Sequence, residues 1–317
     1  MAGMSAHGTG HRRATALLAF ALACVLAACS ESTTPPTPTT ATAEPPAPTV
    51  STTATPPTSA QPRLAADPIR IAEDLVVDEH TIRAPSTSEA VLTAAARRQQ
   101  RAYRVLARHP EWDAIVGPRI PPALLGAFDR NINARRQLAR VNGGAPPDTM
   151  PAWRIVAPPP AAELLAHYRK AQDATGVGWN FLAAINLIET GFGRIVGAST
   201  AGAQGPMQFM PSTFAAYGQG GDIHSPHDSI MAAGKYLAAN GFGDDPGRAL
   251  YRYNNSERYV DAVTDYAAVL AAEPATFAAY HRWDVYYVTT AGDIVLPVGY
   301  TAETRIPVQD YLATHPQ

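Results

Sequence analysis

Apolar side chains recur at helical spacing in the middle of this chain. Between residues 179 and 189, Phe181, Leu182, Ile185 and Ile188 follow one another at intervals of three or four positions. This spacing places them on one face of an amphipathic helix, because an α-helix turns once in about 3.6 residues. A Thr-Gly-Phe-Gly sequence at 190–193 then predicts a turn directly after the helix.

The same period predicts helices earlier in the chain. Ser86 and Glu89 have the spacing of a capping box, which predicts a helix that continues to Arg108. A proline pair at 121–122 opens a second helix, whose apolar positions include Leu125, Phe128 and Ile132. Glycines and prolines at 143–147 end it.

The repeat shortens to two residues near the C-terminus. Val285, Tyr287 and Thr289 alternate with their neighbours, and a turn at 291–293 leads into the apolar run 294–296. This pattern predicts a β-hairpin. We expect the hairpin to close an edge of the helical part, with a position beside a binding groove as the alternative.

The N-terminus has the pattern of an export signal. His-Arg-Arg at 11–13 precedes an apolar run at 14–28, which is shorter than the roughly 20 residues that a membrane-spanning helix needs. Its end, Leu26-Ala27-Ala28-Cys29, resembles the bacterial lipobox. We therefore predict that residues 1–28 are a signal peptide and that Cys29 is lipidated, with ordinary secretory cleavage as the alternative.

Residues 29–62 are predicted to be a disordered linker. They consist mostly of Thr, Pro, Ala and Ser, and they lack any hydrophobic period that could build a core. A proline-rich segment of this length could extend over roughly 100 Å. The protein would then be an exported bacterial lipoprotein, anchored in a cell membrane and facing the wall or periplasm.

Composition excludes several classes of protein. The 317 residues are 46% hydrophobic and carry a formal net charge of -2, which argues against a disordered chain and against nucleic-acid binding by bulk charge. The 2 cysteines, Cys24 and Cys29, leave no thiol after export and lipidation, so that disulfides do not stabilise the fold.

The globular remainder is predicted to have three parts: a helical module at 63–150, a second domain at 151–272, and a C-terminal extension with the hairpin at 273–317. On the first module, Arg97, Arg101, Arg104 and Arg108 form one helical stripe. The stripe could meet an anionic polymer or lipid. We favour a solvated helix face, because no aromatic side chains interleave with the arginines.

Glu189 is the leading candidate for chemistry. It ends an apolar helix, where both desolvation and the negative end of the helix dipole disfavour the ionised carboxylate. Its pKa should therefore be raised, as a general acid for a glycosidic oxygen requires. A surface glutamate at a helix end is the alternative.

Two further segments contain candidate binding residues. Between 202 and 214, glycines allow close backbone approach, and Gln204 and Gln208 offer amide groups that could bind acetamido and hydroxyl groups. Pro211 is positioned to begin a helix. Later, Tyr253 and Asn254 precede Ser256, which is predicted to cap a helix to residue 272.

Together the three segments resemble the signature of the lytic transglycosylases, in the soluble-lytic-transglycosylase superfamily with a lysozyme-like domain. The matching motifs are Glu189-Thr190-Gly191, Gly205-Pro206-Met207-Gln208 and, more loosely, Leu250-x-x-Tyr253-Asn254. Pro206 replaces the family's leucine and Thr190 its commoner serine. Both variants are similar to the membrane-bound type B branch and to actinobacterial lipoproteins.

The resemblance implies a mainly α fold with a lysozyme-like, goose-type helical domain. It also implies that the protein cleaves the β-1,4 bond between MurNAc and GlcNAc of peptidoglycan and forms a 1,6-anhydro ring. Glu189 would be the acid and base, and Tyr253 would orient Glu189 or the sugar, supported by Asn254. The substrate-binding residues would be Gln204, Gly205, Met207, Gln208, Tyr253 and Asn254.

Several alternatives remain open at this stage. A hydrolytic muramidase on the same fold, an inactive wall-binding scaffold, and a docking partner for other cell-wall enzymes are each compatible with the motifs. His224 and His227 could suggest a metal site, but no third ligand has convincing spacing. We predict no metal and no cofactor, peptidoglycan strands and a membrane as partners, and no nucleic acid.

Overall fold

The computed structural model describes residues 60–141 and 143–317. The predicted signal peptide, the lipidated Cys29 and most of the predicted linker lie outside the described residues. Helices make up most of the described part, so the prediction of a mainly α fold is confirmed.

The N-terminal segment folds into four helices. Their bounds are α1 Pro68–Arg83, α2 Glu89–Arg108, α3 Asp113–Val116 and α4 Pro122–Val141.

The predicted capping box at the start of α2 is wrong. The cap residue is Ser88 rather than Ser86, and its side chain makes no capping hydrogen bond to any described residue. The carboxylate of Glu89 instead pairs with Arg282 and accepts a hydrogen bond from Thr93. A distant ion pair thus replaces the local capping interaction.

Eight helices follow. They are α5 Ala161–Thr175, α6 Trp179–Thr190, α7 Pro211–Tyr217, α8 Pro226–Ala239, α9 Pro246–Tyr253, α10 Glu257–Ala272, α11 Thr276–Tyr280 and α12 Val308–Thr314. The predicted helix over 179–189, the start of α7 at Pro211 and the Ser256 cap of α10 are confirmed.

Six short strands complete the described part of the chain. They are β1 Thr149–Met150, β2 Arg154–Ile155, β3 Ile195–Val196, β4 Val285–Thr289, β5 Gly292–Leu296 and β6 Ile306–Pro307. The pairs β1 with β6, β2 with β3 and β4 with β5 are all antiparallel. The predicted hairpin is confirmed as β4 and β5, with Val285 opposite Leu296 and Thr289 opposite Gly292.

A single apolar core joins the N-terminal helices to the rest of the bundle. It extends from Ile71 in α1 through Ala134 in α4 to Trp283, and α10 packs against both α4 and α6. A second, smaller core lies under the hairpin and includes Met150 and Tyr311. The division into separate units at 63–150, 151–272 and 273–317 stays a prediction, but the first two share their core.

The arginine stripe of α2 is only partly solvated: the expectation of a solvated face is wrong for Arg104, whereas Arg108 is exposed. Arg104 is 5% exposed, and its Nε lies 2.7 Å from Asp293 Oδ2, while Arg108 also pairs with Asp293. Arg97 pairs with Asp284 at the start of the hairpin. Three of the four arginines therefore hold the β4–β5 hairpin by ion pairs. These partners are distant in sequence, so the lack of aromatic residues near the stripe gave no information about them.

Among the described residues, no helix combines the length and the apolar composition that crossing a membrane requires.

Candidate active site

Glu189 lies in the last turn of α6, next to a tightly turned helix end. Gly191 ends the helix in the left-handed conformation, with φ of 60°, and its N–H donates to Leu187. This conformation favours glycine, so the Glu-Thr-Gly order places a turn immediately beyond the carboxylate. Glu189 as a whole is partly exposed, unlike its neighbour Thr190, which is buried.

The pKa of Glu189 is raised from 4.5 to about 7. Burial of the carboxylate is the cause, and a hydrogen bond from Tyr259 opposes it by stabilising the charged form. The predicted upward shift is therefore confirmed. No charged group in the described part of the chain contributes to the shift.

Tyr259 provides the hydroxyl group that contacts Glu189. Its Oη donates to Oε1 of Glu189 at 2.7 Å. Tyr259 is fixed in the first turn of α10, where the Ser256 side chain accepts from its backbone N–H. It is almost fully buried, so its ring belongs to the core and its hydroxyl reaches the site.

The expectation that Tyr253 orients Glu189 is corrected by this geometry. The Tyr253 hydroxyl donates to the carbonyl of Met207 at 2.7 Å, not to Glu189. Tyr253 still lies near the site, since the charge of Glu189 contributes to raising its pKa. Its contact with a sugar stays a prediction.

The segment 204–209 forms a closed loop beside these residues. Gln204 and Phe209 exchange two backbone hydrogen bonds, and Gln208 donates from its backbone N–H to the Gly205 carbonyl. Gly205 has φ of 73°, and a Cβ there would lie 1.9 Å from the Ile223 carbonyl oxygen. Only glycine fits this position.

Side chains of α6 anchor the loop through one carbonyl group. The Pro206 carbonyl accepts from Thr190 Oγ1 at 2.6 Å and from Asn186 Nδ2 at 2.8 Å. Tyr168 orients Asn186 by donating to its Oδ1. The threonine next to Glu189 thereby couples the position of the carboxylate to that of the loop.

The predicted substrate-binding residues occupy different environments. Gln204 is partly exposed, whereas the side chain of Met207 is fully buried and its carbonyl is already bound by Tyr253. Gln208 uses its amide nitrogen within the loop, by donating to Gly205. Asn254 is buried at the end of α9, where its N–H donates to Leu250.

Three residues with positioning contacts were not identified from sequence. Asn186 and Thr190 anchor the loop, and Tyr259 contacts the carboxylate. Tyr259 belongs to none of the motifs that carry the family resemblance. Its place three residues after a predicted cap was the available signal, since that position puts it in the first helical turn.

The histidines that suggested a metal site make other contacts. His227 Nε2 lies 3.0 Å from Lys170 Nζ, and its Nδ1 lies 2.8 Å from Asp228. Asp228 lies in the first turn of α8, where its backbone N–H donates to the side chain of the capping residue Ser225. Within 60–141 and 143–317, no three His, Cys, Asp or Glu side chains are grouped so that they could hold a metal ion.

Residues 167–273 match the family described as "Transglycosylase SLT domain". The match contains Glu189, the loop 204–209, Tyr253 and Tyr259, and it leaves the helices α1 to α4 outside. No curated protein and no solved structure matches the chain.

Proposed function

Because this chain carries a transglycosylase SLT domain and is a lytic transglycosylase that acts on peptidoglycan, we propose that Glu189 is its single catalytic acid and base. The bond cleaved is the β-1,4 bond between MurNAc and GlcNAc, and the product ends in a 1,6-anhydromuramyl ring. The observation that carries the proposal is the pKa of about 7 at the carboxyl group of Glu189, a residue that keeps part of its surface exposed.

A pKa near 7 suits both halves of this reaction. At neutral pH a large fraction of Glu189 is protonated and can donate its proton to the leaving oxygen. The resulting carboxylate then accepts the proton of the muramyl 6-hydroxyl as that oxygen attacks the anomeric carbon. The proton is returned to the enzyme, and water takes no part.

Tyr259 supports the alternation between these two states. Its hydroxyl holds Oε1 of Glu189, while Oε2 makes no hydrogen bond to any described residue. Oε2 is thus the oxygen that is free to exchange the proton with the substrate. The hydrogen bond also limits how far burial raises the pKa.

Among the described residues, no second carboxylate affects the pKa of Glu189, which favours help from the substrate. Glycosidases with two carboxylates use the second as nucleophile or base. No acidic side chain in the described part of the chain perturbs the pKa of Glu189. We assign the stabilisation of the anomeric carbon to the acetamido group of the muramyl sugar itself.

The loop 204–209 is the proposed site for that sugar. Gln204 is partly exposed at one end of the loop, and Gln208 has a φ of 49° that the backbone bond to Gly205 maintains. The amide group of Gln204 would bind acetamido or hydroxyl groups, whereas Gln208 is buried and its Nε2 already donates to Gly205, which leaves its Oε1 as the acceptor it would offer. Asn186 and Thr190 are positioning residues for this loop.

Mass spectrometry of released muropeptides tests the proposal. The full chain, a Glu189→Gln variant and a Glu257→Gln control are each incubated with purified peptidoglycan. Glu257 is an exposed residue in the first turn of α10. The expected products are anhydromuramyl ends, lighter than reducing ends by one water, from the wild type and the control alone. Reducing ends would instead identify a muramidase, and no release from several walls would favour a scaffold.

Export and membrane anchoring are part of the same proposal. The lipobox-like sequence before Cys29 supports a lipid anchor, and the following linker would let the enzyme reach the wall layer. Labelled palmitate should enter the wild type and Cys24→Ser but not Cys29→Ser. Labelling that survives Cys29→Ser would contradict the anchor and leave secretion as the alternative.

A further inference from the structure

A cavity of about 230 Å³ opens at the surface between α8 and the segment 217–221. One buried water needs roughly 10–15 Å³ on such a measure, so the cavity has room for a ligand group of several heavy atoms. Two of its lining residues, Gln219 and Gly221, are exposed, which gives it a direct path to solvent. Neither Glu189 nor any residue of the loop 204–209 lines it. Its larger lining side chains are those of Tyr217, Gln219, His227, Asp228, Met231 and Lys235.

One face of α8 forms the floor of this cavity. Its lining residues Asp228, Met231, Ala232 and Lys235 have the spacing i, i+3, i+4 and i+7, which lies on one side of a helix. Two turns separate Asp228 from Lys235, a rise of roughly 10 Å along the helix axis. Long helical side chains lean toward the N-terminus, so Lys235 extends in the direction of Asp228. A charge of each sign therefore lies at either end of an apolar floor.

The cation at one end of the floor has no acidic partner in the part of the chain that the structure describes. Lys235 donates from Nζ to Oε1 of Gln219, which is a neutral amide. An ammonium group has three donors, so this contact leaves it able to bind an anion in the cavity.

The acid at the other end is held by neutral donors. Asp228 Oδ1 lies 2.8 Å from His227 Nδ1, and its Oδ2 accepts from the backbone N–H of Asp222 at 3.0 Å. His227 is neutral in this arrangement, because its Nε2 lies 3.0 Å from Lys170 Nζ, which can only donate. The hydrogen bonds from His227 and from the Asp222 backbone lower the pKa of Asp228. Its carboxylate is therefore charged at neutral pH.

The segment 217–221 is shaped to lie over these charges. A Cβ at Gly221 would lie 2.9 Å from the Asp228 carboxyl carbon, so glycine permits the close approach. Gln219 has a left-handed φ of 51°, which is uncommon for a residue other than glycine. Strained backbone of this kind concentrates at sites that hold ligands.

A ligand that completes both ends of the floor must carry a charge of each sign. A cation alone would leave Lys235 without a partner, and an anion alone would face Asp228. The charged groups just outside the lining, Lys170 and Asp222, are again one of each sign and favour neither. In an α-amino acid, an ammonium and a carboxylate group share one carbon atom. We propose that this cavity binds the zwitterionic head group of an α-amino acid, with its ammonium at Asp228 and its carboxylate at Lys235.

One chain segment separates this cavity from the loop 204–209. The Ile223 carbonyl lies so close to Gly205 that a Cβ there would clash with it, and it accepts from Ser229 Oγ. Gly221 and His227, which lie on either side of Ile223 in the chain, line the cavity. The head group therefore has two sources: free amino acids, and the unlinked end of a diamino acid in a peptidoglycan stem peptide. The second source rests on the proposed function.

Calorimetry with the full chain tests the site without requiring turnover. The probes are alanine, N-acetylalanine, which keeps only the negative charge, and alaninamide, which keeps only the positive charge. The variants are Lys235→Gln and Asp228→Asn, and the asparagine retains an acceptor for the Asp222 N–H. The matched control is Asp173→Asn, an exposed acid on α5. Thermal unfolding of each variant confirms that it is folded.

We expect the wild type and Asp173→Asn to bind alanine about tenfold more tightly than either derivative, since each derivative loses a charge-assisted hydrogen bond. Lys235→Gln should bind alanine and alaninamide equally but still prefer alanine to N-acetylalanine. Asp228→Asn should show the reverse preference. A merely structural effect would weaken binding of all three probes alike, so this crossed pattern identifies the two contacts.

A muropeptide with an unlinked diamino acid end separates the two sources. Crossed preferences with at least tenfold tighter binding than alanine identify the stem peptide, and weaker binding than that identifies the free amino acid. Both results support the site.

The site is overturned if the wild type binds the three alanine probes equally, or if both variants lose affinity for all of them alike. It is also overturned if neither alanine nor the muropeptide binds. A chain that shows the crossed pattern but releases no anhydromuramyl ends would support the site while contradicting the proposed reaction. Release of such ends without the pattern would do the opposite, so the two proposals fail separately.

Discussion

The Tyr259 hydroxyl lies 2.7 Å from Oε1 of Glu189, although 70 positions separate the two residues in the chain. The contact joins the end of α6 to the first turn of α10. It is the only influence that lowers the pKa of Glu189 among the causes found in the described residues, and it acts against burial. The protonation state of the carboxyl group therefore depends on the packing of these two helices.

Replacing Tyr259 with phenylalanine should raise the pKa of Glu189. The hydrogen bond favours the charged carboxylate, and a hydrogen bond to a charged group contributes about 1.5 kcal/mol or more. The limb of the pH profile of kcat/KM that reports Glu189 should shift upward by about one pH unit. Tyr253→Phe is the control: it removes the bond to Met207 and should leave this limb in place. Equal profiles for the two variants would refute the role of Tyr259.

The Glu189→Gln variant should be more stable than the wild type at neutral pH. The folded pKa of about 7 exceeds the ordinary 4.5, so between these values the unfolded chain loses its proton first. The free energy of unfolding of the wild type is therefore highest below pH 4.5, where Glu189 is protonated in both states. It falls as the pH rises to 7, by at most about 3 kcal/mol. Urea unfolding of both proteins at pH 4.5 and 7 should show the difference only at pH 7. A constant difference would contradict the raised pKa.

Thr190→Val should loosen the loop 204–209. Valine has the shape of threonine, but it loses the bond to the Pro206 carbonyl and leaves the Gly193 N–H without its acceptor. We expect a loss of about 2 kcal/mol in unfolding free energy and a fall in kcat of about tenfold. Thr190→Ser keeps the hydroxyl and should be close to the wild type in both measurements. If serine and valine behave alike, the hydroxyl does not anchor the loop.

Gly205→Ala should lower the free energy of unfolding more than Gly202→Ala does. Both glycines have positive φ, but the added Cβ meets the Ile223 carbonyl oxygen at 1.9 Å only at position 205, whereas no heavy atom of the described residues lies within 4 Å at 202. We expect losses of about 3 kcal/mol or more at 205 and about 1 to 2 kcal/mol at 202. Thermal unfolding of the two variants, measured side by side, gives the comparison. Equal losses would mean that backbone strain, not the clash, decides.

The parts of the fold that local pattern determines could be predicted from the sequence. The apolar period over 179–189 identified α6, and the alternation around Val285 identified the hairpin. In both cases neighbouring residues alone decide which face is apolar, so no tertiary information is needed. The raised pKa of Glu189 followed in the same way from its place at the end of an apolar helix.

The rest depended on contacts between distant residues. The pairing of Arg104 with Asp293 spans 189 positions, and no local rule could indicate that a stripe of arginines meets a hairpin. The choice of Tyr259 over Tyr253 as the partner of Glu189 depends on how α10 packs against α6. The motif resemblance placed only Tyr253 near the site, because the hydroxyl that reaches the carboxylate comes from a helix outside the motif.

The shared core of α1 to α4 and α5 to α11 has a consequence for how this protein unfolds. Helices on both sides of the predicted boundary at 150 bury their apolar faces in one continuous cluster. They should therefore melt in one cooperative transition rather than as independent units. A destabilising change in α4, far in sequence from Glu189, would then remove active enzyme by lowering the folded population. The stability of the catalytic centre is in that sense set along the whole length of the bundle.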